Sequence, residues 1–209
     1  MLKIVVGLLT LLLSLSSSAL FADEISQAKK SGPKIFIGVD YFDGETNLDR
    51  DFSSLGSQEL DIDVTGYRLK FGVQIEDNIR VQGFIKIEDL DEEVFALSAD
   101  GKIYGIGGEA QLMIPVNPNF SPYVLVGLSS DFTELDDPGV DYSEDTINGV
   151  ALKAGVGALF RFNDYVELQA GWNIQYRTWQ DIEFESLGTV DLEQEDISQT
   201  FLVGLNFFF

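Results

Sequence analysis

The chain has 209 residues, and its 35 acidic side chains outnumber 13 basic ones to give a formal net charge of −22 at pH 7. Such an acidic excess excludes binding to nucleic acid, which needs basic side chains against the phosphates. The sequence contains neither cysteine nor histidine, so it lacks disulfides, thiol chemistry and the commonest general base of hydrolytic enzymes. We therefore expect one domain without enzyme activity or a cofactor.

Residues 1–22 predict a secretory signal peptide. Lys3 precedes an apolar run over residues 4–15, and small residues follow up to Ala22. A membrane-spanning helix needs about 20 apolar residues, so the shorter run fits a cleaved leader better than an uncleaved anchor. We expect cleavage after Ala22, or alternatively after Ala19, and export of the mature chain.

Residues 23–34 are mostly polar and predict a short periplasmic linker. The folded domain is expected to span residues 35–209, where apolar and polar residues alternate as they do in half-buried strands. After residue 22, no uncharged apolar run approaches the length of a spanning helix. If the mature chain crosses a membrane, it must therefore cross with strands.

Eight alternating segments predict eight strands. In the second, the apolar phase changes between Val64 and Tyr67, which predicts a β-bulge near Thr65. The polar stretch 43–58 is predicted to be a connection rather than a strand. The approximate bounds of the eight segments are 35–42, 59–75, 79–88, 102–114, 123–132, 150–162, 166–177 and 197–209.

The connections between these segments alternate between long and short along the chain. An antiparallel meander with every short turn on one side is the layout of an outer-membrane barrel. Such a strand needs about 9 to 11 tilted residues to cross the membrane, and each segment supplies them except the first, which is marginal. The predicted fold class is all-β, an eight-stranded antiparallel up-and-down transmembrane β-barrel with short periplasmic turns and long extracellular loops.

The last segment, 197–209, has one strongly apolar face and ends the chain on aromatic residues. A free edge of that kind would pair with other chains, whereas a closed barrel has no edge. The alternative is a buried edge strand of a soluble β-sandwich. The spacing of Gly204, Phe207 and Phe209 resembles the C-terminal insertion signal of bacterial outer-membrane β-barrels, which implies recognition by the barrel-assembly machinery.

Over the whole mature chain, the layout resembles the small eight-stranded barrels of the OmpA-like transmembrane family. The resemblance implies an integral protein of the cell outer membrane that contacts its lipid and lipopolysaccharide. Many members of that family carry a C-terminal peptidoglycan-binding domain. This chain stops at the eighth strand, so we expect it to lack that domain.

Charged residues concentrate on the inward phase of the predicted strands. An eight-stranded barrel has an interior that side chains just fill, and a buried charge is tolerated only when it is paired. Glycines on the same phase would either seat long basic side chains or leave a narrow water path. We predict a lumen charge network of Asp40, Arg68, Lys70, Arg80, Lys86, Glu88, Glu109, Asp131, Lys153, Arg161, Glu167 and Arg177.

Aromatic residues near the predicted strand ends fit the girdles that such barrels place at both membrane interfaces. Two acidic connections, 133–146 and 181–196, are expected to be solvated loops at the cell surface. Clustered carboxylates repel an anionic lipid surface unless cations bridge the two, so divalent cations are candidate partners. The predicted girdle residues are Tyr41, Phe120, Phe132, Phe162, Tyr165, Trp179, Phe207 and Phe209.

Three functions fit such a barrel. The first is a non-enzymatic outer-membrane protein with a structural, surface-interaction or adhesive role, and the second is a narrow porin-like channel for small solutes. The third is a lipid-modifying barrel enzyme, but the known sites of those enzymes use histidine, which this chain lacks. We predict the first function, with a lumen that is closed or only weakly conducting.

Overall fold

The computed structural model describes residues 32–52, 56–90, 101–134, 146–180, 182–184 and 190–209. The predicted signal peptide with its cleavage site and most of the predicted linker lie outside these ranges. So do the first acidic loop, apart from its ends, and part of the second. No helix in the described ranges is long and apolar enough to cross a membrane.

Within these ranges the chain forms an antiparallel meander. Each strand pairs with the next, except that β7 pairs with β9, and β9 returns to pair with β1. Eight long strands therefore close a barrel, which confirms the predicted all-β, eight-stranded antiparallel up-and-down barrel, and the three-residue β8 pairs only with the start of β9. The strands are β1 (Lys34–Phe52), β2 (Gly56–Glu76), β3 (Ile79–Leu90), β4 (Lys102–Met113), β5 (Phe120–Glu134), β6 (Thr146–Arg161), β7 (Val166–Trp179), β8 (Ile182–Phe184) and β9 (Val190–Phe208).

Alternation along each strand separates an apolar outer wall from a largely polar inner wall. On β3, for example, Val81 and Ile85 are 47% and 51% exposed, whereas Arg80 and Phe84 between them are buried. This is the inverse of a soluble β-protein, and it is stable only where the outer wall contacts lipid. Because the strands form one closed ring and not two packed sheets, the alternative of a soluble β-sandwich is wrong.

The predicted connection 43–58 is wrong, because most of it is strand. β1 and β2 pair without interruption from Asp43 opposite Thr65 to Phe52 opposite Gly56, which leaves only 53–55 between them. Asp43 and the residues that follow it on the outer face are polar because they face water rather than lipid. The apolar alternation that identifies a membrane strand therefore stops at residue 42 although the strand continues.

The predicted bulge near Thr65 is also wrong. Thr65 pairs in register with Asp43 on one side and Asp89 on the other, and the irregularity in β2 lies at Gln74 and Glu76 instead. Val64 faces the lumen and is 2% exposed, whereas the outward residue Tyr67 is 60% exposed. At this point the outer face of the strand passes from water to lipid, whereas the alternation of its side chains between the inner and outer walls continues unchanged.

β1, β2 and β9 are longer than the rest of the ring. They have 19, 21 and 19 residues, against 12 in β3 and in β4. We call residues 43–52, 56–65 and 190–201 the extended wall, because they continue the sheet beyond the apolar band. Its outer face exposes a set of carboxylates, namely Asp43, Glu45, Asp49, Glu59, Asp61, Asp63 and Glu195.

Outward aromatic residues lie toward both ends of the apolar band. We call the end with the connections 77–78, 114–119 and 162–165 the turn side, and the other end the loop side. On the loop side, the rings of Tyr41 and Tyr67 pair at 5.4 Å. On the turn side, the rings of Phe120 and Phe160 pair at 4.8 Å. Trp179 does not belong to either girdle, because it is only 4% exposed and lies on the inner wall.

Candidate functional site: the lumen

The twelve side chains of the predicted lumen charge network all lie on the inner wall. Eleven are at most 7% exposed, and the exception, Arg161, has a side chain that is 24% exposed. Each of the twelve makes at least one ion pair with another member. The pairs form three clusters at successive levels of the barrel.

The middle cluster is a chain of five alternating charges. Asp40 binds Lys70 at 2.6 Å, and it accepts two hydrogen bonds from Arg68, at 2.8 Å from Nε and 2.6 Å from NH2. Arg68 also contacts Glu109, and the same Glu109 oxygen contacts Lys153. The chain of contacts therefore crosses the lumen from β1 to β6.

The loop-side cluster is built around Arg177. Its guanidinium contacts Glu88 at 2.8 Å, Asp131 at 3.3 Å and Asp196 at 3.3 Å. Lys86 donates to Glu88 at 2.7 Å and to Asp131 at 2.9 Å. Two cations thus neutralise two of three buried carboxylates.

Asp196 is the buried member of this cluster that sequence reasoning missed. The sequence predicts an acidic loop over residues 181–196, but the structure places Asp196 on the inner face of β9 at 4% exposure. Trp179 donates to it from Nε1 at 2.8 Å. A signal was present, because Asp196 shares the inward parity of Ser198, which also donates to it at 3.2 Å.

The turn-side cluster pairs two arginines with one carboxylate. Arg80 donates to Glu167 at 2.9 Å, and Arg161 donates to its other oxygen at 3.2 Å. The Arg80 guanidinium also lies over the rings of Phe36 and Phe208, at 4.7 Å and 5.4 Å from their centroids. Such aromatic faces stabilise a buried cation where water is excluded.

Apolar side chains fill the levels between and beyond the charges. Met113, Tyr123, Leu125 and Leu159 form one buried cluster. The Tyr123 hydroxyl accepts a hydrogen bond from Gln169 at 2.9 Å, and Gln169 accepts one from Lys70 at 2.5 Å. These two hydrogen bonds therefore connect the apolar cluster to the middle charge cluster. A second apolar cluster lies toward the loop side and consists of Leu48 and Ile62 with Leu60 and Leu90 packed against them.

Inward glycines seat the bulkier inward side chains. A Cβ added at Gly105 would collide with Asp131, and one at Gly107 would meet the ring of Phe84 at 2.5 Å. At Gly127, a Cβ would lie 2.8 Å from Cγ of Glu109. Neighbouring side chains thus occupy the space that each of these glycines leaves, so the glycines do not form a narrow water path.

Small cavities remain on the loop side of the middle cluster. The larger has a volume of about 30 Å³ and is lined by Arg68, Lys86, Lys153 and Gln175 among others. A second, of about 10 Å³, lies nearer the loop side, beside Asp196. Since a water molecule needs roughly 10 to 15 Å³ of such volume, the larger cavity has room for about two waters and the smaller is at the lower limit for one.

The three residues of the predicted C-terminal insertion signal are divided between the two walls. Phe207 and Phe209 face outward, at 41% and 80% exposure, whereas Gly204 is on the inner wall directly opposite Asp40 of β1. Among the described residues, no group of three or more aspartate or glutamate side chains is arranged so that it could hold a metal ion. Much of the first acidic loop, where divalent cations were expected, lies outside the described ranges.

Known proteins resemble the chain in sequence pattern and in fold. The family model of the outer membrane protein beta-barrel domain matches residues 8–209. Among curated proteins, no sequence matches the chain. Likeness to solved structures is a matter of fold alone, since the identities are low.

Three solved structures illustrate that likeness. Neisserial surface protein A is 21% identical with a TM-score of 0.51, over 86% of this chain and 99% of that one. OprG from Pseudomonas aeruginosa is 16% identical with a TM-score of 0.52, over 88% and 98%. The outer membrane protein AlkL in lipid bilayers is 16% identical with a TM-score of 0.52, over 89% and 96%.

Proposed function

The chain belongs to the outer membrane protein beta-barrel domain family, and from that premise we propose that it is a non-enzymatic outer-membrane barrel whose lumen is a structural plug. The turn side faces the periplasm and the loop side faces the cell surface. Structural, surface-interaction or adhesive contacts are made there, by the extended wall and the surface loops.

The observation that carries this proposal is the middle cluster, which links β1 to β6 through contacts between paired charges. Asp40, Arg68, Glu109 and Lys153 are each at most 7% exposed. Opening a path past them means separating buried ion pairs, which leaves charges without a partner in an interior where an unpaired charge is strongly unfavourable. The inward glycines do not relieve the blockage, because neighbouring side chains occupy the space that they leave.

The absence of an enzyme activity is also part of the proposal. The sequence has no histidine and no cysteine, and the buried carboxylates and cations of the three clusters are engaged with one another. A general acid or base has to reach its substrate, and these groups do not face an open cleft.

The proposed partners follow from the outer surface. Outer-membrane lipid and lipopolysaccharide surround the apolar band, and the barrel-assembly machinery recognises the end of β9 with Gly204, Phe207 and Phe209. Divalent cations bridge lipopolysaccharide phosphates to the carboxylates of the extended wall. Nucleic acid is not a partner, since the outer face carries a large acidic excess.

A narrow channel for small solutes is the second candidate, and the lumen contains two features that favour it. One is the cavity of about 30 Å³ beside the middle cluster. The other is a set of buried side-chain atoms that lack a hydrogen-bond partner within the described ranges, among them both polar atoms of Gln111 and of Gln194. Water at such atoms would begin an aqueous path.

Conductance of the purified protein, refolded into planar lipid bilayers, tests the proposal. A plug predicts bilayers that stay closed or show only small, infrequent currents. A large and steady conductance would contradict the plug and support the channel.

A further inference from the structure

The strands β1 and β9 close the barrel, and we call their paired residues the closing seam. On the inner wall, small and large residues face each other across the seam. Gly38 is directly opposite Asn206, and Asp40 is directly opposite Gly204. Each strand therefore contributes one glycine and one polar side chain to two consecutive inward pairs.

The fit between these residues is close in both directions. A Cβ at Gly204 would collide with the Asp40 carboxylate and lie 2.7 Å from the Val39 carbonyl oxygen. A Cβ at Gly38 would collide with the Asn206 side chain and lie 2.6 Å from Cε of Lys70. Neither glycine can carry a larger residue unless its neighbour moves.

Asp40 is held in its place by the neighbouring strand. Arg68 and Lys70 of β2 both contact its carboxylate at 2.6 Å, and the residue is 1% exposed. The β1–β2 hairpin thus presents a fixed carboxylate to the approaching β9. Gly204 is the position of β9 that accepts it.

We propose that these reciprocal pairs set the register in which the barrel closes. Asp40 is the positioning residue, and Gly204 is the position that leaves space for its carboxylate. Alternation alone cannot set the register, because a slip of two residues keeps every side chain on its own face. One such slip places Asp40 against the side chain of Leu202 and leaves Gly38 facing Gly204. The opposite slip sets Asp40 against Asn206.

Engineered disulfides report the register directly, since the natural chain has no cysteine. Glu45 and Gln199 are exposed and directly opposite across the seam, so Glu45→Cys with Gln199→Cys reports the native register. Glu45→Cys with Ile197→Cys, or with Phe201→Cys, reports the two slips. A disulfide needs Cα atoms within about 4.4 to 6.8 Å, whereas diagonal neighbours are about 7 to 8 Å apart.

The test introduces Gly204→Ala into each reporter pair and examines the protein in outer-membrane preparations. We expect loss of the native disulfide, with gain of a slipped one or failure to assemble. Gly108→Ala is the matched control, because Gly108 faces outward and a Cβ there would have its nearest neighbour at 3.7 Å. The control is expected to retain the native disulfide.

A double variant that exchanges the two residues distinguishes an effect on the register from a general folding defect. Asp40→Gly with Gly204→Asp returns a carboxylate to the same level of the seam from the opposite strand. We expect it to restore assembly and the native disulfide relative to Gly204→Ala. The proposal is overturned if Gly204→Ala matches Gly108→Ala, or if the swap is as defective as Gly204→Ala alone.

Discussion

At the level of single residues, Arg177 holds together the loop side of the lumen. It contacts three carboxylates, of which Glu88 is at 2.8 Å, and its guanidinium lies 5.0 Å from the Trp179 ring centroid. A guanidinium has five donors in a fixed plane, so a single side chain can serve several carboxylates. Lysine would present one compact charge and could not replace it.

Replacing Arg177 is therefore expected to destabilise the barrel. Arg177→Met leaves Glu88, Asp131 and Asp196 with Lys86 as the remaining cation of their cluster, and an uncompensated buried charge costs about 3 to 5 kcal/mol. The free energy of unfolding, measured by urea titration in lipid vesicles, reports the loss.

Lys102→Met is the matched control for this change. Lys102 lies at the loop-side end of β4, opposite Asp89, and is only partly buried, so its loss is expected to change stability by about 0.5 kcal/mol or less. Equal losses for the two variants would contradict a structural role for the loop-side cluster.

Parity along the sequence was sufficient to place the twelve charged side chains of the predicted network on the inner wall. Glu109 and Arg80 are on the inner wall because they alternate with apolar neighbours that face lipid. Pairing across the lumen was not readable, since it depends on the register of strands distant in sequence. Glu109, for instance, binds Arg68 from β2 and Lys153 from β6.

At the level of strands, the alternation of apolar and polar residues no longer predicts strand structure beyond the membrane surface. The apolar alternation predicts the first strand only to residue 42, because the outward residues become polar where lipid ends, whereas the strand itself continues to Phe52. The same change of solvent concealed the start of β9, and with it Asp196. Alternation of apolar and polar residues marks a strand only where its outer face contacts lipid. It therefore cannot mark the part of a strand whose outer face contacts water.

The extended wall places like charges directly opposite one another. Glu45 pairs with Asp63, and Asp49 pairs with Glu59 on one side and Glu195 on the other. Such pairs repel, and Asn47 relieves only part of the repulsion by donating to Glu59 and Asp61 at 2.8 Å and 2.9 Å. We expect this sheet to depend on cations.

Magnesium or calcium is accordingly expected to raise the melting temperature of the protein in lipopolysaccharide-containing bilayers. The divalent ions screen the opposed carboxylates and bridge them to lipid phosphates. The double variant Glu45→Gln with Asp63→Asn should respond less, because it lacks one repulsive pair. An unchanged melting temperature on addition of a chelator would show that these carboxylates are merely solvated.

The end of β9 carries a prediction about assembly. Phe209 is 80% exposed on the outer wall, and its backbone N–H donates to the Ile35 carbonyl at 3.0 Å. Deleting Phe209 removes both the terminal aromatic residue of the proposed insertion signal and a hydrogen bond of the closing seam. We expect a smaller fraction of folded, heat-modifiable protein in outer-membrane preparations.

Phe162→Ala provides the comparison for the Phe209 deletion. Phe162 is an aromatic of similar exposure on the same side of the barrel, at 65%, but it is not part of the C-terminal signal. Assembly of the Phe209 deletion at the level of Phe162→Ala would contradict the assignment of the signal.

At the level of the whole molecule, charge is strongly segregated. The chain carries a formal net charge of −22, yet seven of its 13 basic residues are members of the lumen network. The exposed outer face of the extended wall is acidic, while the lumen is close to neutral. This division places most of the described basic residues beside buried carboxylates in the lumen and leaves the exposed outer face of the extended wall acidic.

Glu109→Ala tests most directly whether the lumen is a closed plug of paired charges, with current and stability measured on the same protein. Glu109 contacts Arg68 and Lys153 and accepts a hydrogen bond from Gln82 at 2.8 Å. Glu76→Ala, which removes an exposed carboxylate at the turn-side end of β2, is the control. We predict a loss of about 3 to 5 kcal/mol in unfolding free energy with no new current. Little loss of stability together with increased single-channel current would contradict the plug and establish a solute path.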